Sequence, residues 1–288
     1  CTQQQFLMRP DAETNNAFIY CLAVAANRHG IEIIGTMAMS NHHHTEGRDP
    51  GAEYPAFLEY FHKLFAKCQN VLIGRWENFW SSEQTSAVSL EEPRDELDKL
   101  VYLLTNPVQH HLVEKAIDWP GVSALQALLQ GKPLTARRPK HFFRDDGEMP
   151  EQVTLILYRP KGFEHLSQTE FAELLMQRVK DVEEKARSER IATGRRVLGV
   201  KGVLRQPRSA TPETPEPRRE LNPGVAAKNK WRRIEALARN KAFTEAYTAA
   251  RKAFAEGLEV LFPDGTYWLK RFASVACVAD ALCAVPSG

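Results

Sequence analysis

The sequence predicts an α+β fold, from a helix–strand–helix–strand–helix order in its first half and long, charged helical stretches in its second. Residues 11–28 open that order as a helix. Asp11 or Thr14 can cap it, Phe18, Cys21, Leu22 and Ala25 share one face, and Gly30 stops it. Residues 31–39 then alternate, with Ile31, Ile33, Gly35, Met37 and Met39 on one side. This predicts a half-buried strand, with helices on one face of its sheet. The strand is expected to run straight into Asn41-His42-His43-His44 and to break at Gly47-Arg48-Asp49-Pro50-Gly51. Residues 55–72 carry an apolar stripe of Phe57, Phe61, Leu64, Phe65, Cys68 and Val71, with Pro55 tolerated in the first turn. A short strand at 86–90 precedes a third helix at 93–105. That helix ends before Pro107, because the residue preceding a proline avoids the right-handed helical region.

After Trp119-Pro120-Gly121 the character changes, and a boundary is expected near residue 125. Residues 126–288 read as a mostly helical, basic accessory region. It holds the cationic stretch 132–144, a strand at 153–158, an amphipathic helix at 167–190 and a last helix at about 226–257. Between them, residues 205–223 are rich in proline, serine, threonine and arginine and predict a linker or an irregular arm. Tyr267-Trp268-Leu269-Lys270-Arg271-Phe272 reads as a packing segment with its basic residues outside.

Composition narrows the class. The 288 residues are 43% hydrophobic and 9% aromatic, enough for a packed core and unlike a disordered chain. Net charge is only +2, from 38 basic and 36 acidic residues, so a nucleic-acid partner must be read from where charge sits. Cys1, Cys21, Cys68, Cys277 and Cys283 form no C-x-x-C pair, which argues against a disulfide framework or zinc knuckle and for a reducing cytoplasm. No apolar run is long enough to cross a membrane.

Two local patterns can carry chemistry. On a strand, residues i and i+2 face the same way, so His42 and His44 project together and His43 points to the other side. Two imidazoles suit a borderline divalent cation, and they leave coordination sites open for phosphate oxygens. Alone, such a pair is more often part of a solvated loop. On the third helix Leu97, Leu100, Val101 and Leu104 face the core, while Asp98, Tyr102 and Asn106 share a polar face. Tyr102 alone reads as a packing residue; beside a metal or base, its phenol becomes a candidate nucleophile.

Together, Met39-Ser40-Asn41-His42-His43-His44 and Tyr102-Leu103-Leu104-Thr105-Asn106-Pro107-Val108, followed by Trp119-Pro120, resemble the single-strand tyrosine transposases of insertion sequences. The likeness is greatest to the REP-associated group and covers about residues 1–125. The resemblance implies a ferredoxin-like or RRM-like sheet with the histidine (HUH) strand at its centre. It implies His42 and His44 as metal ligands, Asn106 as a third, Tyr102 as the nucleophile, and Mg²⁺ or Mn²⁺ as the cofactor. The expected activity is cutting and rejoining hairpin-forming single-stranded DNA through a 5′-phosphotyrosine. The expected protein is a homodimer without a membrane partner, cytoplasmic and nucleoid-associated in a bacterium. Two departures are expected to matter. Thr45-Glu46-Gly47-Arg48-Asp49-Pro50 lacks the apolar continuation usual after the second histidine, which predicts a shortened strand, and the first strand of the sheet is expected to precede Cys1.

Candidate DNA contacts are Arg75 and Trp76 in Gly74-Arg75-Trp76-Glu77-Asn78-Phe79-Trp80, then Arg137, Arg138 and Lys140, and Arg232 and Arg233. The aromatics among them could stack on unpaired bases or close the core at a helix end. Two other readings use the same residues: a non-catalytic DNA-binding derivative that recognises repeated hairpins, and a metal-dependent phosphodiesterase without a covalent tyrosine.

Overall fold

The computed structural model describes residues 1–82, 85–213 and 223–278. Helix α1 spans Ala12–His29. The Asp11 carboxylate accepts from the Thr14 N–H at 2.8 Å, and Gly30 closes the helix at φ 65°, so both ends follow their capping residues. Strand β1 (Glu32–Ala38) and strand β2 (His43–Arg48) form an antiparallel hairpin, with Thr36 opposite Thr45 and Met37 opposite His44. The Met39 N–H donates to the His42 carbonyl at 2.8 Å across the turn.

The histidines therefore do not extend β1. They lie beyond a reversal, at the start of its partner. The polar continuation after His44 also does not shorten that strand, which pairs through Arg48. Cross-strand polar pairs take the place of apolar alternation: Thr36 and Thr45 hydroxyls meet at 3.1 Å, and Arg48 Nε binds Glu32 at 2.9 Å.

Helix α2 (Tyr54–Leu72) starts where Asp49 accepts from the Glu53 and Tyr54 N–H groups. Then follow β3 (Ser89–Leu90), α3 (Pro93–Leu104), the one-turn α4 (Asn106–Gln109), α5 (Leu125–Gln130), β4 (Leu134–Arg137), β5 (Gln152–Leu155) and α6 (Gln168–Thr193). The chain continues with α7 (Gly199–Arg205), β6 (Val225–Ala226), α8 (Lys230–Ala255) and α9 (Trp268–Ala273). The described residues form an α+β protein in which helix dominates and the strands pair two by two. The third helix divides at Thr105, because Pro107 has no N–H to donate back to the previous turn.

β1 is buried along both faces, not half-buried. A register shift between Ile33 and Gly35 turns Ile33 into one core and Ile34 and Met37 into another. The first core contains Phe18, Cys21 and Leu22 of α1, Phe57, Phe61 and Phe65 of α2, and Ala136, Val153 and Leu155 from the β4–β5 hairpin. The second holds Leu100, Leu103 and Leu104 of α3, Leu125 of α5, and Phe171, Leu175 and Val179 of α6. Helices thus cover both sides of the hairpin, where the sequence predicts one. β1 is also the strand with backbone partners along both edges, since Ala38 N–H donates to Val122, Ala124 N–H to Thr36 and Tyr158 N–H to Ile33. Among the described residues β2 pairs only with β1.

Two compact units result, Cys1–Thr85 with Glu96–Asn222, and Ser86–Asp95 with Pro223–Gly288. They do not divide at residue 125, because α6 completes the second core of the first unit. β4, within the cationic stretch 132–144, is a strand that periodicity misses, since only Ala136 of its four residues is buried. Part of the proline-rich stretch is an ordered arm on the first unit. Phe6 N–H donates to Ala210, and Arg208 binds Asp11 and the Leu7 carbonyl; residues 214–222 lie outside the described residues.

In the second unit Asn229 caps α8, and Phe262, Val275 and Cys277 pack with Ala250. Trp268 and Phe272 of α9 stack on each other and stay largely exposed, so that segment packs less than its sequence predicts. Among the described residues no helix is long and apolar enough to cross a membrane.

Candidate active site

The hairpin sorts the three histidines by strand parity. His43 enters the first core, edge-on to Phe18, Phe61 and Trp80, with its Nε2 3.0 Å from His62 Nε2. His42 and His44 face the other way, their rings 4.9 Å apart and perpendicular. Asn41 Oδ1 lies 2.7 Å from His42 Nδ1. A proton on Nδ1 makes that bond and leaves Nε2 with its lone pair, the arrangement found behind metal-bound histidines.

Tyr102 of α3 stands against this pair, its ring 6.0 Å from that of His44 and 40% exposed. Lys99, one turn earlier, places Nζ 4.6 Å from the Tyr102 ring centroid. Asn106 follows one turn after Tyr102. It is 1% exposed, and its Oδ1 has no hydrogen-bond partner. His110, a further turn on, lies close enough that its charge acts on both His42 and His44. α3 and α4 therefore run along the histidine face of β2 despite the break at Thr105.

Burial dominates the electrostatics. It lowers His42 to about 3, helped by the neighbouring His44 and His110, and lowers His44 to about 4, helped by Lys99 and His110. Both imidazoles are thus neutral at neutral pH, the form that binds metal. Glu46 continues the same strand face beyond His44. It is 7% exposed, and neither carboxyl oxygen has a partner. Burial and then Glu96 push its carboxyl up to about 8, while Lys99 opposes them.

The buried, unpartnered His44 Nε2 and Asn106 Oδ1, with the free Nε2 of His42, have the donor chemistry to hold a divalent cation. Among the described residues no group of three His, Cys, Asp or Glu side chains forms a metal cluster, so any shell here rests on two imidazoles and an amide.

The DNA-contact candidates separate. Arg75 is engaged with the Asn78 carbonyl and Glu77, and Arg138 holds the carbonyls of Asp145, Gly147 and Met149, so both guanidinium groups serve their own loops. Arg137 and Lys140 are exposed. Arg232 pairs with Glu235, and with Arg233 it belongs to the second unit. The aromatics also split: Phe79 and Trp80 close the first core, while Trp76 is 97% exposed beside a cleft lined by Thr2, Gln3, Arg75 and Asn78.

Motif reading misses Asn41, Glu46, Lys99 and His110. Glu46 was signalled by strand parity from His44, and Lys99 and His110 by helical spacing from Tyr102. No family model matches the chain, and neither a curated protein nor a solved structure matches it.

Proposed function

We propose that the first unit is a metal-dependent strand transferase of the HUH tyrosine type, cutting and rejoining single-stranded hairpin DNA. The observation that carries this reading is the Tyr102 ring 6.0 Å from His44, on the face of β2 that His42 shares. A phenol beside two neutral imidazoles and an unpartnered buried amide is an unusual grouping for packing alone.

In the proposed reaction the Tyr102 hydroxyl oxygen attacks a backbone phosphorus. One P–O bond forms to the phenol oxygen as the bond to the 3′ oxygen breaks. The phenol proton passes to solvent, and the departing 3′ oxygen takes one up, leaving a 5′-phosphotyrosine and a free 3′-OH. Attack by a 3′-OH on that linkage reverses the exchange, so no nucleotide cofactor is required. His42, His44 and Asn106 would hold Mg²⁺ or Mn²⁺, which supplies Lewis acidity to the phosphate oxygens. Asn41 holds the tautomer of His42, and exposed Trp76 offers a stacking face for an unpaired base. The same reading carries a ferredoxin-like sheet, in which β2 gains a second strand neighbour, and a homodimer acting on the bacterial nucleoid.

The test is incubation of the full chain with Mn²⁺ or Mg²⁺ and labelled hairpin single-stranded DNA, read on a denaturing gel. The expected result is a covalent adduct that Tyr102→Phe abolishes. Cleavage that survives Tyr102→Phe would identify a metal-dependent phosphodiesterase, and binding without cleavage a non-catalytic derivative.

A further inference from the structure

The charge beside the tyrosine has no carboxylate paired with it among the described residues. Lys99 forms no ion pair among the described residues, and its helix neighbours are already engaged. Asp98 binds Arg178 at 2.8 Å, and Glu96 accepts from the Lys161 N–H at 2.6 Å. A surface lysine is ordinarily just solvated. Lys99 differs in standing over the Tyr102 ring while its charge reaches both His44 and the buried Glu46.

We propose that Lys99 is a second substrate-contacting residue of this site, binding a non-bridging oxygen of the phosphate that Tyr102 attacks. This rests on Tyr102 being the nucleophile. A phosphodiester has two non-bridging oxygens sharing one negative charge, which grows as the phenol oxygen adds. A cation that His42 and His44 would hold supplies Lewis acidity to the phosphate oxygens, and the Lys99 ammonium, 4.6 Å from the Tyr102 ring centroid, adds a second positive charge beside the phenol. Lysine suits the task as a compact point charge on a stem long enough to follow the moving oxygen.

The experiment follows single-turnover adduct formation by the full chain with Mn²⁺ and labelled hairpin DNA. Lys99→Met is expected to slow the adduct by roughly 10²-fold, and Lys99→Arg to stay within about tenfold of the parent, with the melting temperature unchanged in both. In a Tyr102→Phe background, where DNA binds uncut, Lys99→Met should flatten the dependence of log Kd on log salt by about 0.7, the loss of one phosphate contact to a single strand. An unchanged rate in Lys99→Met overturns the inference, as does an equal loss in Lys99→Arg with an unchanged salt slope. If the unaltered protein forms no adduct, or the adduct survives Tyr102→Phe, the strand-transfer reading falls and the role of Lys99 falls with it.

Discussion

At the scale of single residues, strand parity decides more than side-chain type. Three consecutive histidines are chemically identical, yet His43 is a core residue bonded to His62 while His42 and His44 pair on the opposite face, towards Tyr102. His62→Ala leaves the buried His43 Nε2 without its partner and is expected to cost about 1–3 kcal/mol, measured by urea unfolding. The metal pair responds differently. Asn41→Ala frees the His42 tautomer and should weaken Mn²⁺ binding by about 10–100-fold with little change in stability. Calorimetric titration with Mn²⁺ checks this, and unchanged affinity would remove Asn41 from the site. The parity of the histidines was legible in the sequence, since an H-x-H on a strand can face only one way. The partners His62 and Asn41 were not, because a hydrogen bond between α2 and β2 has no signature in spacing.

At the scale of elements, the close approach of α3 to β1 sets the distance from the tyrosine to the histidines. Gly35 is where they touch, and a Cβ placed there would lie 2.4 Å from Leu100 Cδ1. Leu100 is fully buried, so its side chain can give way only by repacking against its core neighbours. Gly35→Ala is therefore expected to destabilise the protein by about 1–3 kcal/mol through overpacking and to lower adduct formation by moving α3. Thermal melts and the gel assay read the two effects, and a variant with parental melting temperature and activity would show that the contact relaxes at no cost. The sequence marks Gly35 only as one member of an alternating strand. Its role as a spacer emerges once α3, more than sixty residues later, lies across it. The turn between β1 and β2 was also hidden, because Met39-Ser40-Asn41-His42 contains neither glycine nor proline.

At the scale of the whole molecule, the buried histidines couple stability to pH. Burial lowers His42 to about 3 and His44 and His62 to about 4, and holds His43 well below its ordinary value. In the unfolded chain all four take up protons near 6.5, so below that pH the unfolded state binds protons that the folded state refuses. Their contribution is complete above 6.5 and is lost as the pH falls towards 4. Each histidine gives a slope of about 1.4 kcal/mol per pH unit within that window. The urea midpoint of the metal-free protein should therefore drop steeply between pH 7 and pH 5. A flat midpoint would mean that these rings are protonated in the fold.

The sequence by itself determined the long helices, the caps of α1 and the facing of His42 and His44. Each of these depends on periodicity or on residues adjacent in the chain. Tertiary structure decided that β1 is buried on both faces, that β2 continues through polar residues, and that α6 belongs with the first unit. It also brought His44 of β2 to Tyr102 of α3. The reason is the same in each case: burial and electrostatic neighbourhood come from elements far apart in the chain, and the spacing of residues within one element carries no record of them.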